Sequence, residues 1–297
     1  MSRKKSPGAR ELRNNHVDLR ALEDTPPWDW PRDAGKVFHE ILIDNHADDS
    51  ERLIAARLAG DFTVINDALS DALLGIVSDG DRSVQLRATA AIALGPALEQ
   101  ADLEETDSGG FENPDDVQIS EATFHRIRLV LQKLYLDDQA PKEVRRRILE
   151  ASVRSPQNWH REAISHAWSS GDRDWKLTAV FAMRSVPGFG DQILEALQDT
   201  DPDVEYEAVN SAGNWALEAA WPHIAGLVDD PATPKPLLLA AIDAIAAIRP
   251  QEAATILADL VDSDDPEIAE AADEAMAMAQ AGAGEIDDDE DARSWVN

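Results

Sequence analysis

The run Asp201-Pro202-Asp203-Val204-Glu205-Tyr206-Glu207-Ala208-Val209-Asn210-Ser211-Ala212-Gly213 decides the fold. Asp before Pro is a helix start: the carboxylate accepts from an otherwise unpaired backbone N–H, and Pro at the first helical position forfeits no hydrogen bond. Small and apolar residues then recur at helical spacing, with Ala in the middle of the helix, where it lets a neighbouring helix approach closely. The phrase returns. Asp265-Pro266-Glu267-Ile268 leads into Ala271-Ala272 and Ala275, and Asp230-Pro231 leads into Leu239-Ala240-Ala241-Ile242 and Ala244-Ile245. Looser copies run from Asp81 through Val84, Arg87 and Ala91 to Gly95, and from Asp49 through Leu53 and Ala56 to Gly60. Acidic turns near 49, 80, 138, 172, 201, 230 and 265 recur about every 30 residues, with one gap of about 58 between 80 and 138. A period of roughly 20–50 residues marks a solenoid, in which each helical pair buries its apolar face against the next.

The spacing predicts an all-α chain of about six to seven helical pairs. Pairs are expected near 50–60 with 62–78, 82–99 with 121–136, 141–154 with 156–169, 173–185 with 189–198, 203–213 with 215–228, and 235–248 with 250–262. A final helix is expected from 266 to about 280. Gly95-Pro96 reads as an interruption of the helix at 82–99. Residues 101–120, acidic and punctuated by Gly and Pro, read as a loop inserted within one repeat, which explains the long gap. Residues 1–33 read as an N-terminal arm or cap with a short helix from Ala9 to Glu23, broken by Pro26-Pro27-Trp28-Asp29-Trp30-Pro31. Residues 34–280 form the solenoid, beginning with an orphan helix over Val37, Phe38, Ile41 and Leu42. Residues 281–297, with their acidic run Glu285 to Asp291, read as a disordered tail.

These phrases resemble the HEAT and HEAT-like repeat family, especially the short form also found in phycobilin lyase subunits. The resemblance rests on 201–208, 264–272 and Arg87-Ala88-x-Ala90-Ala91-x-Ala93-Leu94-Gly95, and it spans about residues 45–280. It implies a right-handed α-α superhelix whose concave face is built from second helices. About function it implies little, because members of the family bind many unrelated things.

Charge narrows the partner. The chain carries −31, but unevenly: +4 over 1–20, −16 over 21–120, +4 over 121–161 and −23 over 162–297. So acidic a field repels phosphate backbones, so nucleic acid is not the expected partner. An excess of Asp over Glu and of Arg over Lys also suits a protein adapted to high salt. There is no Cys, which removes disulfides and thiolate chemistry. No apolar stretch reaches the roughly 20 residues that span a bilayer, and the basic start has no apolar segment behind it. The expected setting is the cytoplasm, without membrane.

Motifs for chemistry are few. His39-Glu40 is the lone His-Glu dyad, whereas a HEAT-repeat di-iron hydroxylase family carries several. There is no His-Glu-x-x-His phrase, no phosphate-binding loop and no nucleophile elbow, and the turn Asp residues lack the spacing of a calcium loop. No cofactor, metal or catalytic residue is assigned. An alkylpurine glycosylase built from HEAT-like repeats would want Trp159, Trp168, Arg145 to Arg147 and Asp172 or Asp174 on a basic groove, and the acidity of the adjoining half opposes that. A lyase-type chaperone for a prosthetic group is the other enzyme-linked alternative.

The expected function is a non-catalytic scaffold or adaptor that binds another protein. Its candidate contact residues are the basic island, chiefly Arg126, Arg128, Arg145, Arg146 and Arg147, with Trp28 and Trp30 of the arm and Trp159 and Trp168 on second helices. Arg suits bidentate carboxylate recognition, and exposed Trp suits binding hot spots. The competing readings are a solvated face laced with i,i+4 pairs such as Glu143–Arg147 and Arg146–Glu150, an internal partner in the 101–120 loop or the acidic tail, and core packing for the Trp side chains.

Overall fold

The computed structural model describes residues 19–61, 65–106 and 119–294, and among them there are helices and turns but no strand. The chain divides into two compact units, Met1–Gln157 and Asn158–Asn297.

The first unit contains α1 (Leu19–Glu23), α2 (Ala34–Ile43), α3 (Asp49–Asp61), α4 (Asp67–Ser78), α5 (Val84–Ala93), α6 (Gly95–Thr106), α7 (Glu121–Tyr135) and α8 (Lys142–Ser152). Helices α3, α5 and α8 stack in one layer, with α5 packed on both others; α2, α4 and α7 form the second layer, and each packs on the first-layer helix that follows it. The starts of α4, α5 and α7 are capped by short polar side chains: Asn66 accepts from Leu69 N at 3.0 Å, and Ser83 and Ser120 accept from Leu86 N and Thr123 N.

One arginine device recurs at the other end of the second-layer helices. Arg52 Nη2 donates to Asp44 O at 2.5 Å, Arg87 Nε to Val77 O at 3.0 Å, and Arg145 Nε to Tyr135 O at 2.8 Å. Each guanidinium satisfies a terminal carbonyl of the preceding helix and sits at the negative end of its dipole. Layer spacing is short where the sequence puts small residues. A Cβ on Gly60 would lie 3.0 Å from Ala93 Cα, so α3 and α5 nearly touch by their backbones.

The long gap between turns has a different content from the one expected. Gly95-Pro96 does not interrupt the first helix of its pair; it opens α6, which continues to Thr106. The insertion between α5 and α7, which the sequence reading pairs but which pack instead on α4 and α8 respectively, is therefore a helix followed by residues 107–118, which lie outside the described residues. Helix α6 buries Ala97, Leu98 and Ala101 and packs on α8. In the arm, the expected start at Ala9 lies outside the described residues. Leu19 and Leu22 of α1 are buried, with α1 against α3 and an ion pair from Glu23 to Arg57.

The second unit contains α9 (Asn158–Ser169), α10 (Arg173–Met183), α11 (Gly190–Ala196), α12 (Pro202–Asn214), α13 (Trp221–Asp229), α14 (Lys235–Ile248), α15 (Pro250–Ile256), α16 (Ala258–Val261) and α17 (Pro266–Ser294). Helix α12 stacks between α10 and α14, and α14 on α17, with α9, α11, α13 and α15–α16 as second helices. Asp201 accepts from Asp203 N at 3.1 Å, Asp265 from Glu267 N at 3.1 Å and Asp172 from Trp175 N at 3.1 Å, all at helix starts. Asp230 is different. It accepts from Ala232 N at 2.8 Å in a turn, and α14 begins only after Pro234. Helix α17 continues past residue 280, where the sequence reading ends it, through Gly282 and Gly284 to Ser294; extending an existing helix costs far less than nucleating one.

The end of α12 closes with Leu217 N donating to Ala212 O and Ala216 N to Gly213 O, each at 2.9 Å, around Ala216 at φ 44°. That is a Schellman closure with alanine in the left-handed position that glycine fills without strain. Ala216→Gly should therefore raise the melting temperature slightly. Removing a left-handed penalty of roughly 1–2 kcal/mol outweighs the roughly 0.4–1 kcal/mol of extra chain entropy in the unfolded state. Ala216→Val should lower it.

Candidate interaction surface

Three consecutive arginines on a helix point about 100° apart, so they cannot share a face. Arg145, Arg146 and Arg147 of α8 accordingly meet three fates. Arg145 turns to the end of α7, where besides Tyr135 O it reaches Asp138 at 3.6 Å and lies over the Tyr135 ring. Arg146 is only 5% exposed, and it pairs with Glu143 at 2.8 Å and with Glu150, itself 5% exposed, at 3.7 Å. Arg147 meets the same two carboxylates at 3.0 and 2.6 Å. Burial alone would depress the Arg147 guanidinium, but the charges and hydrogen bonds of Glu150 and Glu143 outweigh it and hold the group above the ordinary arginine value. The four side chains form a neutral network, and Arg146 presents no surface to a partner.

Further along, Arg154 pairs with Glu99 of α6 at 2.9 Å, and Ser155 Oγ donates to Asp102 at 2.7 Å. Part of the island thus fastens the inserted helix. On α7, Arg128 lies over the Phe124 ring at 4.9 Å, and Arg126 donates to Asp71 of α4 at 2.5 Å while keeping almost half of its side chain exposed.

The two tryptophans of the arm part company. Trp30 is buried, its Nε1 donating to Thr25 O at 2.7 Å and its ring edge-on to Phe38 of α2 at 5.7 Å. Trp28, on a 3-10 turn, is 82% exposed. Trp159 and Trp168 belong to the second unit, where both are half-buried on α9; Trp159 lies against His160, and Lys176 sits 5.0 Å from the Trp168 ring centre. The sequence reading did not single out Leu129 and Leu136, although their place among the cations of α7 was visible. They are 66% and 63% exposed.

In the second unit the cations form rungs from one repeat to the next. Arg173 reaches Asp201 at 2.5 Å and Asp203 at 2.6 Å, Lys235 reaches Asp265 at 2.8 Å, and Lys176 pairs with Asp199. Hydrogen bonds from Arg173, Lys176 and Lys235 hold the Asp201, Asp199 and Asp265 carboxyls below the usual range. Groups whose folded pKa is depressed add stability above the unfolded value, near 3.9, and lose it as pH falls through the folded value. Urea midpoints of wild type and Asp201→Asn should therefore differ at pH 6 and converge below about pH 4; Asn keeps the cap and removes only the charge. A difference independent of pH would show that the charge of Asp201 adds nothing.

Among the described residues no group of three or more metal-ligating side chains is assembled, and no helix is long and apolar enough to cross a membrane.

Residues 190–277 match the family of HEAT repeats. No curated protein sequence matches the chain. Among solved structures, the Escherichia coli protein YibA is 17% identical, covering 93% of this chain and 99% of its own, with a TM-score of 0.43. Human deoxyhypusine hydroxylase is 14% identical, covering 83% of this chain and 96% of its own, with a TM-score of 0.37. Neither likeness is close enough to carry an activity across. The matched segment runs through the stacked helices α11 to α17: this part of the chain is built of HEAT repeats, and the described helices before it are likewise packed in layers.

Proposed function

We propose that the protein is a non-catalytic scaffold that binds another protein, in the cytoplasm, through the outward faces of its helical pairs. The arm over residues 1–33 serves as the cap of the first helices, residues 34–280 as the stacked body and residues 281–297 as an appendage. The observation that carries this reading is the contrast on α7: one face is packed into the layers through Phe124, Ile127 and Leu131, and the opposite face turns Leu129 and Leu136 to solvent. HEAT repeats commonly mediate protein contacts, which supports the same reading. Affinity capture from native lysate at native salt, with the full chain as bait, tests it. The expected result is a defined protein retained in near-stoichiometric amount. Retention of only nucleic acid or a small ligand would overturn the scaffold reading.

A further inference from the structure

Five residues of α7 and its C-terminal boundary fall on one line: Ala122, Arg126, Leu129, Lys133 and Leu136, spaced four, three, four and three apart. All five are exposed. A 4-3 spacing is the seam by which one helix receives another, since it keeps a single stripe facing a partner that lies alongside. Single exposed leucines are ordinary on any surface. Two on one seam, a heptad apart and both more than 60% exposed, give a partner helix two apolar footholds on the same line, with Ala122 a third small one toward the start of the helix.

Charge selects the partner. Along α7 the ionised groups are Arg126, Arg128 and Lys133 against Glu121, in a chain of net charge −31. An acidic peptide is repelled by most of this molecule and attracted here, so its landing place is defined by exclusion as well as by contact. The two cations on the seam alternate with the leucines. Asp71 holds Arg126 in place at 2.5 Å, and Lys133 has no carboxylate partner among the described residues. A helix lying along the seam would set apolar residues on Leu129 and Leu136 and carboxylates beside Lys133 and the exposed edge of Arg126.

We propose that the α7 seam docks an acidic amphipathic helix of a partner protein. The proposal rests on the scaffold reading and gives it a surface and a partner chemistry.

A synthetic peptide of three heptads, with Leu on its seam and Glu on either side, serves as the probe, titrated into the full-length protein and followed by fluorescence anisotropy. Saturable binding is expected. It should weaken at least tenfold in Leu129→Asp/Leu136→Asp and several-fold in Lys133→Glu. A peptide with Lys in place of Glu should prefer Lys133→Glu over wild type, which a merely structural role for Lys133 would not produce. Both leucines are exposed, so the variants should melt like wild type, and loss of binding then reports contact. Absence of binding, or binding indifferent to the leucine pair, overturns the proposal. So does dimerisation of wild type that the leucine pair abolishes, because the seam would then belong to a second copy. If lysate capture succeeds and ignores the leucine pair, the scaffold reading stands and the seam proposal falls.

Discussion

Arg146→Glu should be the most damaging change in the basic island, lowering the melting temperature by roughly 10 °C or preventing soluble expression. The variant would put a third carboxylate beside Glu143 and Glu150, where Arg146 and Glu150 are each 5% exposed. Breaking a buried ion pair from one side costs about 3–5 kcal/mol, and about 1 kcal/mol moves the melting point of a large domain by roughly 2–4 °C. Arg126→Glu, half-exposed, should cost within about 1 kcal/mol. Thermal melts followed by circular dichroism compare the two. Equal, small effects would mean that Arg146 faces water, and the network described on α8 would be wrong. The result matters for experiments on function too. A triple reversal of Arg145, Arg146 and Arg147 would lose partners by unfolding, whereas changes at Arg126 and Lys133 leave the core untouched.

Gly213→Val is the second large effect expected. A Cβ at that position would lie 2.9 Å from Ala244 Cβ and 3.0 Å from its Cα, where α12 crosses α14. Overpacking of this kind costs about 1–3 kcal/mol, and backbone rather than a flexible side-chain end is what must give. Ala244→Gly should recover part of the loss in the double variant, because the two positions are in contact. Gly75 of α4 is the matched control: nothing lies within 4 Å of its Cβ position, so Gly75→Ala should stabilise by up to about 1 kcal/mol through helix propensity. If Gly213→Val melts like wild type, α12 and α14 do not approach as closely as described.

How much of this was legible in the sequence depends on how local the determinant is. The helix starts at Asp201-Pro202 and Asp265-Pro266 were legible because the cap and the missing proline donor act within three residues. The close crossing at Ala212-Gly213 was legible in kind, since small residues at mid-helix have few other uses. Gly95-Pro96 was ambiguous. The same pair ends one helix and starts another, and only the burial of Leu98 and Ala101 against the body decides for α6. The arginine triplet was misleading for a different reason. Counting charge along the chain treats neighbours as a patch, whereas helical geometry separates them by 100°. Val144, Ile148 and Ala151 mark one buried stripe of α8, and Arg146 projects nearly opposite to it, so the stripe alone would place Arg146 outside; it is buried because α8 is packed by α5, α6 and α7 on more than one side. Leu129 and Leu136 escaped for the converse reason: on an apolar-rich helix, nothing local distinguishes a leucine that is covered from one that is not.

The rungs of the second unit carry a consequence for how it opens. Arg173 to Asp201, Lys235 to Asp265, and Trp215 Nε1 to Met183 O each span about one repeat and stop there. With only neighbours coupled, cooperativity decays along the stack, and the energy to expose an amide depends on its distance from a free end. Amide exchange should therefore differ from repeat to repeat rather than report one global opening, and be slow on α12, which α10, α11 and α14 hold on several sides.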